Sequence, residues 1–358
     1  MSARPLTVGL ITTWDSKCGV SEYSRDLAAA LGRSGCHVVI LGSYVVNPVA
    51  WEEAGPPVRR FFNTGWHDSR GVDLDKALRA IESRGVDVLH LQYQSFIYAP
   101  PFLDCLERLA EAAPLVATFH DPCIPPEFPM KCLKGAIVHS ATLKSIISGI
   151  DSTVIAPGCH VIADRARAKM RKDLGFPSGP VVSSFGLGRV AHEEVLEALG
   201  GLVADYPGLT YALAAPAERA PSVQAAAVSC GMQGRVRYMG DFLPPHSLFD
   251  LLQAADVIAL YYPEFGVRGV SSAAARIAIA SRRPVILTDV YLFEDLPASL
   301  KIRYGDAASL RSRIRTLIEK PQEASAALSI QETLVRENTW DRVAGMHLQV
   351  YRGALGRS

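Results

Sequence analysis

The feature that most constrains this chain is a rhythm that starts twice. Continuous apolar runs rich in β-branched residues, "LTVGLIT", "HVVILGS", "VDVLHLQY" and "PLVATFH", alternate with helix-periodic segments near 21–34 and 74–84. Runs of this kind separated by helices predict parallel strands covered on both faces. Two shorter runs, "GAIVHS" and "STVIAPG", complete the first series. The segment "VIADRARAKMRKDLGFPSG" is charged, aperiodic and closed by Pro and Gly, and reads as a linker over 161–178. The rhythm then resumes with "PVVSSFG", "LTYALAA", "VRYMG", "DVIALYY" and "PVILTD", with helices expected near 192–205, 221–230, 246–254 and 271–281. Two doubly wound α/β sheets in tandem follow. Ligands of open α/β sheets bind beyond the carboxyl ends of the strands, so two facing sheets place a cleft between them.

The bulk properties agree with two cores. A chain of 358 residues, 49% hydrophobic, exceeds what one α/β core holds. Lys and Arg total 37 against 36 Asp and Glu, so no net field draws nucleic acid or holds the whole molecule on an anionic membrane. The start "MSARPLTVGLITTW" lacks a signal-peptide layout, and no apolar run reaches the roughly 18 residues that span a bilayer, so a soluble cytoplasmic protein is expected. Seven cysteines form no C-x-x-C pair and are read as reduced thiols. Cys123 and Cys132 lie near His120, but the set is short of a tetrahedral metal site and no metal is expected.

The candidate site residues fall in strand-to-helix loops. In "TTWDSKCGVSEYSRDL", Gly19 lets backbone approach a ligand, and the helix opened by "SEYSRDL" offers free N–H groups to an anion or sugar hydroxyl. The three-glycine dinucleotide fingerprint is absent, which argues against a nicotinamide enzyme. By itself this loop is equally an ordinary turn. His120 ends "PLVATFHD" and points toward the expected cleft, though a lone strand-end histidine is more often structural. His90 reads as a core or rim residue, and His139 receives no role. In "YYPEFGVRGVSSAAARIAIA", a strand hands over to a turn and a small-residue helix. Ser271 and Ser272 can cap that helix while its N–H groups receive phosphate oxygens. Glu264 offers a carboxylate to sugar hydroxyls and Arg268 a cation to a diphosphate. The plainer reading is a capped core helix with a solvated turn.

Taken in order, "WDSKCGVSEYSRDLAAALGRSGCHVVILG", "VDVLHLQYQ", "PLVATFHD", "AIVHS", "VIAPG", "SSFGLGR", "VRYMGDF" and "ADVIALYYPEFGVRGVSSAAARIAIASRRPVILTDV" resemble the retaining GT-B glycosyltransferases of large family 4, also called glycosyl transferases group 1, over nearly the whole chain. The resemblance implies two Rossmann-like doubly wound domains facing across a cleft. Residues 1–165 would bind acceptor, 166–338 would bind nucleotide sugar, and 339–358 would form a helix crossing back to the first domain. It makes Gly19 part of the loop near phosphate, Glu22 and Tyr23 acceptor-side residues, and His120 the histidine on the transferred sugar. Arg189, Gly266, Arg268, Ser271 and Ser272 would lie at the donor, and His120 and Glu264 would carry the catalytic roles.

Two departures stand out. The family has a lysine shortly after the arginine matched by Arg189, whereas "GRVAHEEVLE" supplies His192, Glu193 and Glu194. Its spaced pair of glutamates falls on Pro263 and Ser271, with Glu264 shifted by one. Arg268 is available to replace the lost charge. The expected function is metal-independent sugar transfer with retention, from a nucleotide-diphosphate sugar to a hydroxyl acceptor, in polysaccharide, glycolipid or glycosylated-metabolite biosynthesis. The nucleotide sugar is a substrate and no cofactor is implied; a lipid-linked acceptor would bring peripheral membrane contact, and no oligomeric state is implied. The alternative is a non-catalytic GT-B binding or partner subunit; an epimerase of the same architecture fits less well, since its carboxylate and histidine constellation is not evident.

Overall fold

A computed structural model of the chain describes residues 4–49, 55–65, 71–187, 190–264 and 267–356. These residues divide into two units: Met1–Gly158 with Val267–Ala273 and Asn338–Ser358, and Cys159–Gly266 with Ala274–Glu337.

The first unit is built on β1 (Thr7–Thr12), α1 (Gly19–Arg33), β2 (His37–Ser43), β3 (Val58–Phe62), α2 (Leu74–Arg84), β4 (Val88–Tyr93), α3 (Pro100–Leu103), α4 (Leu106–Ala112), β5 (Leu115–Phe119), β6 (Leu133–Val138), α5 (Ala141–Ile146) and β7 (Ser152–Val154). The strands form one parallel sheet in the order β3-β2-β1-β4-β5-β6-β7. Strands β1, β4 and β5 are buried along their whole length, which is why they read as unbroken apolar runs. Helix ends are fixed locally. The Asp73 carboxylate accepts from Lys76 N at 3.0 Å to start α2, and Gly85, at φ +59, ends it in the left-handed conformation. At α1 the cap is a sulfur: Cys18 Sγ accepts from Ser21 N at 3.4 Å.

The second unit repeats the plan with α6 (Arg167–Asp173), β8 (Val181–Phe185), α7 (His192–Gly200), β9 (Thr210–Ala214), α8 (Ala220–Ser229), β10 (Val236–Gly240), α9 (Pro245–Ala254), β11 (Val257–Leu260), α10 (Ala273–Ala280), β12 (Val285–Thr288), β13 (Lys301–Ile302), α11 (Ala307–Glu319) and α12 (Pro321–Glu337). Its parallel sheet runs β10-β9-β8-β11-β12-β13. In both sheets the strand order reverses beside the first strand, between β1 and β4 and between β8 and β11. The loops leaving the carboxyl ends of those strands are where such sheets hold ligands.

The last helix, α13 (Trp340–Ala354), packs on α1, β5 and β6. It buries Trp340, Val343, Ala344, His347 and Tyr351, which recur at helical spacing. Thr339 caps it by accepting from Arg342 N at 3.3 Å.

The linker reading of 161–178 does not hold. Those residues carry α6, which packs on α9, and its arginines are paired. Arg165 pairs with Asp250, Arg167 Nη1 lies 2.6 Å from Asp256, and Arg171 Nη2 lies 2.5 Å from the other oxygen of the same carboxylate. The division between units falls at Gly158 rather than near 165, and Val267–Ala273 groups with the first unit. There Gly269, at φ +87, accepts a hydrogen bond on its carbonyl from Ser140 Oγ at 3.4 Å, and a Cβ on it would crowd Leu143.

Candidate functional site

In the first unit, Gly19 opens α1 directly after the β1 loop, and a Cβ built on it would meet nothing within 4 Å. The chain's own packing therefore does not demand glycine here, whereas close approach of a ligand would. Glu22, three residues on, accepts from Arg25 Nη2 at 3.3 Å. Tyr23 points inward. It is buried, its ring lies 5.0 Å from that of His120 and 5.2 Å from that of Trp340, and its hydroxyl is 3.2 Å from His347 Nε2. His347 Nδ1 donates to the Val343 carbonyl at 2.8 Å, so the neutral ring accepts at Nε2 and Tyr23 is the donor. Burial pulls the His347 pKa down to about 4, which keeps that ring neutral. The Tyr23 hydroxyl is thus spent inside the unit.

His120 follows β5 with 9% of its surface accessible, and both ring nitrogens are engaged. Nε2 lies 2.9 Å from Gln92 Oε1 and Nδ1 lies 3.1 Å from His139 Nε2. His139 in turn donates from Nδ1 to the Ile155 carbonyl at 3.0 Å. Gln92 also lies against the ring of His90, whose own nitrogens bond Thr118 Oγ1 and the Tyr351 hydroxyl, each at 2.7 Å. Burial, then the neighbouring His139 and His90, hold His120 well below the usual histidine range; burial does the same for His90. The following residue, Asp121, ties the β4 and β5 loops together: it accepts from Ser95 N and Oγ, each at 3.0 Å, and from Cys123 N at 2.9 Å.

This polar core is the part of the site that sequence reading missed. The sequence assigns no role to His139 and does not single out His347 or Gln92. A signal existed: His90 and Gln92 alternate on β4, Thr118 and His120 alternate at the end of β5, and Gln92 pairs in register with Thr118. Polar residues at period two inside apolar strands mark one face of the sheet. Among the described residues no three His, Cys, Asp or Glu side chains converge as a metal-binding set.

In the second unit, Glu264 is exposed after β11 and accepts from Tyr291 N at 3.3 Å. In the Val267–Ala273 segment, which groups with the first unit, Arg268 is exposed, Ser271 is half-buried and Ser272 is buried just before α10. Arg189 and Gly266 lie outside the described residues. The stretch that stands in place of the family's lysine supplies no cation. His192 is buried, with Nδ1 2.6 Å from the Tyr211 hydroxyl, and burial together with Arg219 pushes its pKa down to about 4. Glu193 takes both carboxylate oxygens to Arg219, at 3.0 and 2.9 Å, and Glu194 accepts from the Tyr304 hydroxyl at 2.7 Å.

No protein-family model matches the chain, and no curated protein does. Solved structures do. A glycosyltransferase from Rickettsia africae superposes with a TM-score of 0.77 at 15% identity, covering 99% of this chain and 100% of that one. HepE from Anabaena, in complex with UDP and glucose, gives 0.70 at 16% identity over 96% and 98%. Sucrose-phosphate synthase from Thermosynechococcus elongatus gives 0.70 at 18% over 99% and 100%. At such identities the likeness is one of fold: the chain has the two-unit, parallel-sheet GT-B fold that these proteins share.

Proposed function

We propose that the chain is a glycosyltransferase that moves a sugar from a nucleotide-diphosphate sugar to a hydroxyl acceptor, with retention and without a metal ion, in the assembly of a polysaccharide, glycolipid or glycosylated metabolite. The observation that carries this reading is the end-to-end likeness of fold to a glycosyltransferase and to HepE, which is seen with UDP and with UDP-glucose. The open space at Gly19, at the end of the loop that leaves the strand where the first sheet reverses, adds to it. In this reading Arg189, Gly266, Arg268, Ser271 and Ser272 receive the donor. Arg189, Arg268 and the positive end of the α10 dipole neutralise the charge that develops on the leaving diphosphate. Gly19 and Glu22 face the acceptor side, and Glu264 meets sugar hydroxyls. His120, with both nitrogens engaged, shapes the sugar pocket through its accessible edge. The internally committed Tyr23 is removed from the acceptor contacts.

A second reading, a GT-B binding or partner subunit without turnover, is favoured by one observation: His192, Glu193 and Glu194 are all spent on internal partners where the family places a cation. Incubating the purified protein with UDP-, GDP-, ADP- and dTDP-sugars decides between them. Transfer or slow hydrolysis of one donor supports the enzyme. A donor that raises the melting temperature without being consumed supports the binding subunit. Neither effect with any donor would remove both.

A further inference from the structure

The His120–His139 pair sits in a chain that ends on a carbonyl oxygen at both sides. Three contacts are made in series: Ile155 O to His139 Nδ1 at 3.0 Å, His139 Nε2 to His120 Nδ1 at 3.1 Å, and His120 Nε2 to Gln92 Oε1 at 2.9 Å. A carbonyl oxygen only accepts, so three hydrogen bonds require three N–H hydrogens on the four ring nitrogens. Two neutral imidazoles carry two. The series is complete in only two ways. Either the pair holds one extra proton and a single positive charge, or the Gln92 amide is turned by half a revolution so that its NH2 donates to His120 Nε2.

The surroundings permit both. The other end of the Gln92 amide lies against His90, 3.1 and 3.3 Å from its two ring nitrogens. Those nitrogens also bond the Thr118 and Tyr351 hydroxyls, each at the shorter distance of 2.7 Å. Turning the amide exchanges its NH2 contacts with His90 for one with His120 Nε2, while His90 keeps Thr118 and Tyr351 as partners. The ionisable groups around His120 are His139 on β6, His90 on β4, His347 and Tyr351 on α13, and Tyr23 on α1; Asp121, next in the chain, is turned to Ser95 and Cys123. Apart from Asp121, no carboxylate is among these neighbours in the described residues, and burial favours the neutral form of His120 until an anion comes near.

We propose that Gln92 is the positioning residue that sets the charge of the His120–His139 pair: its amide donates to His120 when the pair is neutral and accepts from it when the pair has taken one proton from solvent. The Ile155 carbonyl fixes the far end, so in the neutral state the hydrogen of His120 is on Nδ1. His120 retains a small accessible edge through which the proton enters and through which either state meets a bound molecule. That this charge governs turnover rests on the sugar-transfer reading above; the coupling of amide to charge does not.

The test is side-chain nitrogen NMR of the full chain with labelled histidine. In the wild type at pH 7, His120 is expected as the Nδ1–H tautomer with a bare, hydrogen-bonded Nε2; an Nε2–H tautomer would overturn the proposal without any variant. In Gln92→Glu, residue 92 offers an acceptor and a negative charge, and the protonation midpoint of the pair should rise by about one pH unit or more. A midpoint equal to wild type in a folded Gln92→Glu protein would also overturn it. Gln92→Met, close in shape and without donor or acceptor, should keep the Nδ1–H tautomer and the wild-type melting behaviour to within a few degrees. If a nucleotide sugar is turned over, the acid limb of the pH profile should move with the NMR midpoint in Gln92→Glu. An NMR shift in a protein that turns over no donor would leave this inference standing and sink the enzymatic reading.

Discussion

The indole of Trp340 occupies the space that a side chain on Gly158 would need: a Cβ built on Gly158 would overlap the six-membered ring. The last residue of the first long segment and the first residue of α13 are thus fitted to each other. Gly158→Ala is expected to destabilise the protein by roughly 1–3 kcal/mol, the usual cost of overpacking. Gly345→Ala, inside α13 where a Cβ meets nothing within 4 Å, should instead stabilise by roughly 0.4–1 kcal/mol. Thermal melts of the two variants give opposite shifts if the fit is real, and parallel shifts if it is not.

Acid should weaken the fold earlier than carboxylate protonation alone would. His90, His120, His192 and His347 are buried with pKa values below the ordinary 6.5, two of them at about 4. A group whose folded pKa is depressed binds its proton more readily in the unfolded chain. Its contribution is therefore intact above pH 6.5 and lost as pH falls from 6.5 toward 4. For His192 and His347 the loss by pH 5 is on the order of 2 kcal/mol each. Denaturant melts at pH 7.5, 6 and 5 should show the midpoint falling over this range, and an unchanged midpoint at pH 5 would contradict neutral burial.

Asp256 joins three donors, Arg167, Arg171 and the backbone N of Val181, the last at 2.8 Å. Asp256→Ala removes the carboxylate from two guanidinium groups, of which Arg171 keeps the Ala254 carbonyl, and from the first N–H of β8. A destabilisation of roughly 1–3 kcal/mol is expected, with the proteolytic sensitivity of 161–178 increased. A 161–178 segment cut equally fast in wild type and variant would mean that the pairing does not anchor it.

Arg268 and Glu264 separate the diphosphate from the sugar in the proposed reaction. Both are exposed, so neither substitution should alter the melt. Arg268→Ala should weaken nucleoside diphosphate about tenfold or more, as loss of a charge-assisted contact worth roughly 1.5–3 kcal/mol would, and free nucleoside much less. Glu264→Gln should lower turnover or sugar preference with nucleotide affinity near wild type. Calorimetric titration checks both, and wild-type diphosphate affinity in Arg268→Ala would end the idea that this arginine replaces a lysine.

Most strands were legible because both faces of these parallel sheets are buried, and burial writes itself as an apolar run. Strand β3 was not read. Its sequence "VRRFF" carries two arginines, and Arg60 serves the interior by donating to the Ser43 carbonyl at 2.7 Å and the Trp14 carbonyl at 3.1 Å. Helix α6 was hidden for a similar reason: its charges look solvated until Asp250 and Asp256 arrive from far along the chain. The loop glycine and the strand-end histidine could be picked out singly. What they touch could not, because His90 meets Tyr351 across 261 positions and Tyr23 meets His347 across 324. Neighbours that distant leave no local pattern.

The return of α13 also orders events during synthesis. The first sheet emerges from the ribosome early, yet the helix that covers α1, β5 and β6 is made only after the whole second unit has been translated. Until then His90 lacks its Tyr351 partner, Tyr23 lacks His347, and the pocket against Gly158 that receives Trp340 stands open to water. The nascent first unit is therefore expected to wait with a wet, polar-cored groove until α13 arrives. A ribosome stalled within the second unit should display a first unit that binds apolar dyes and chaperones, and release of the final helix should close it.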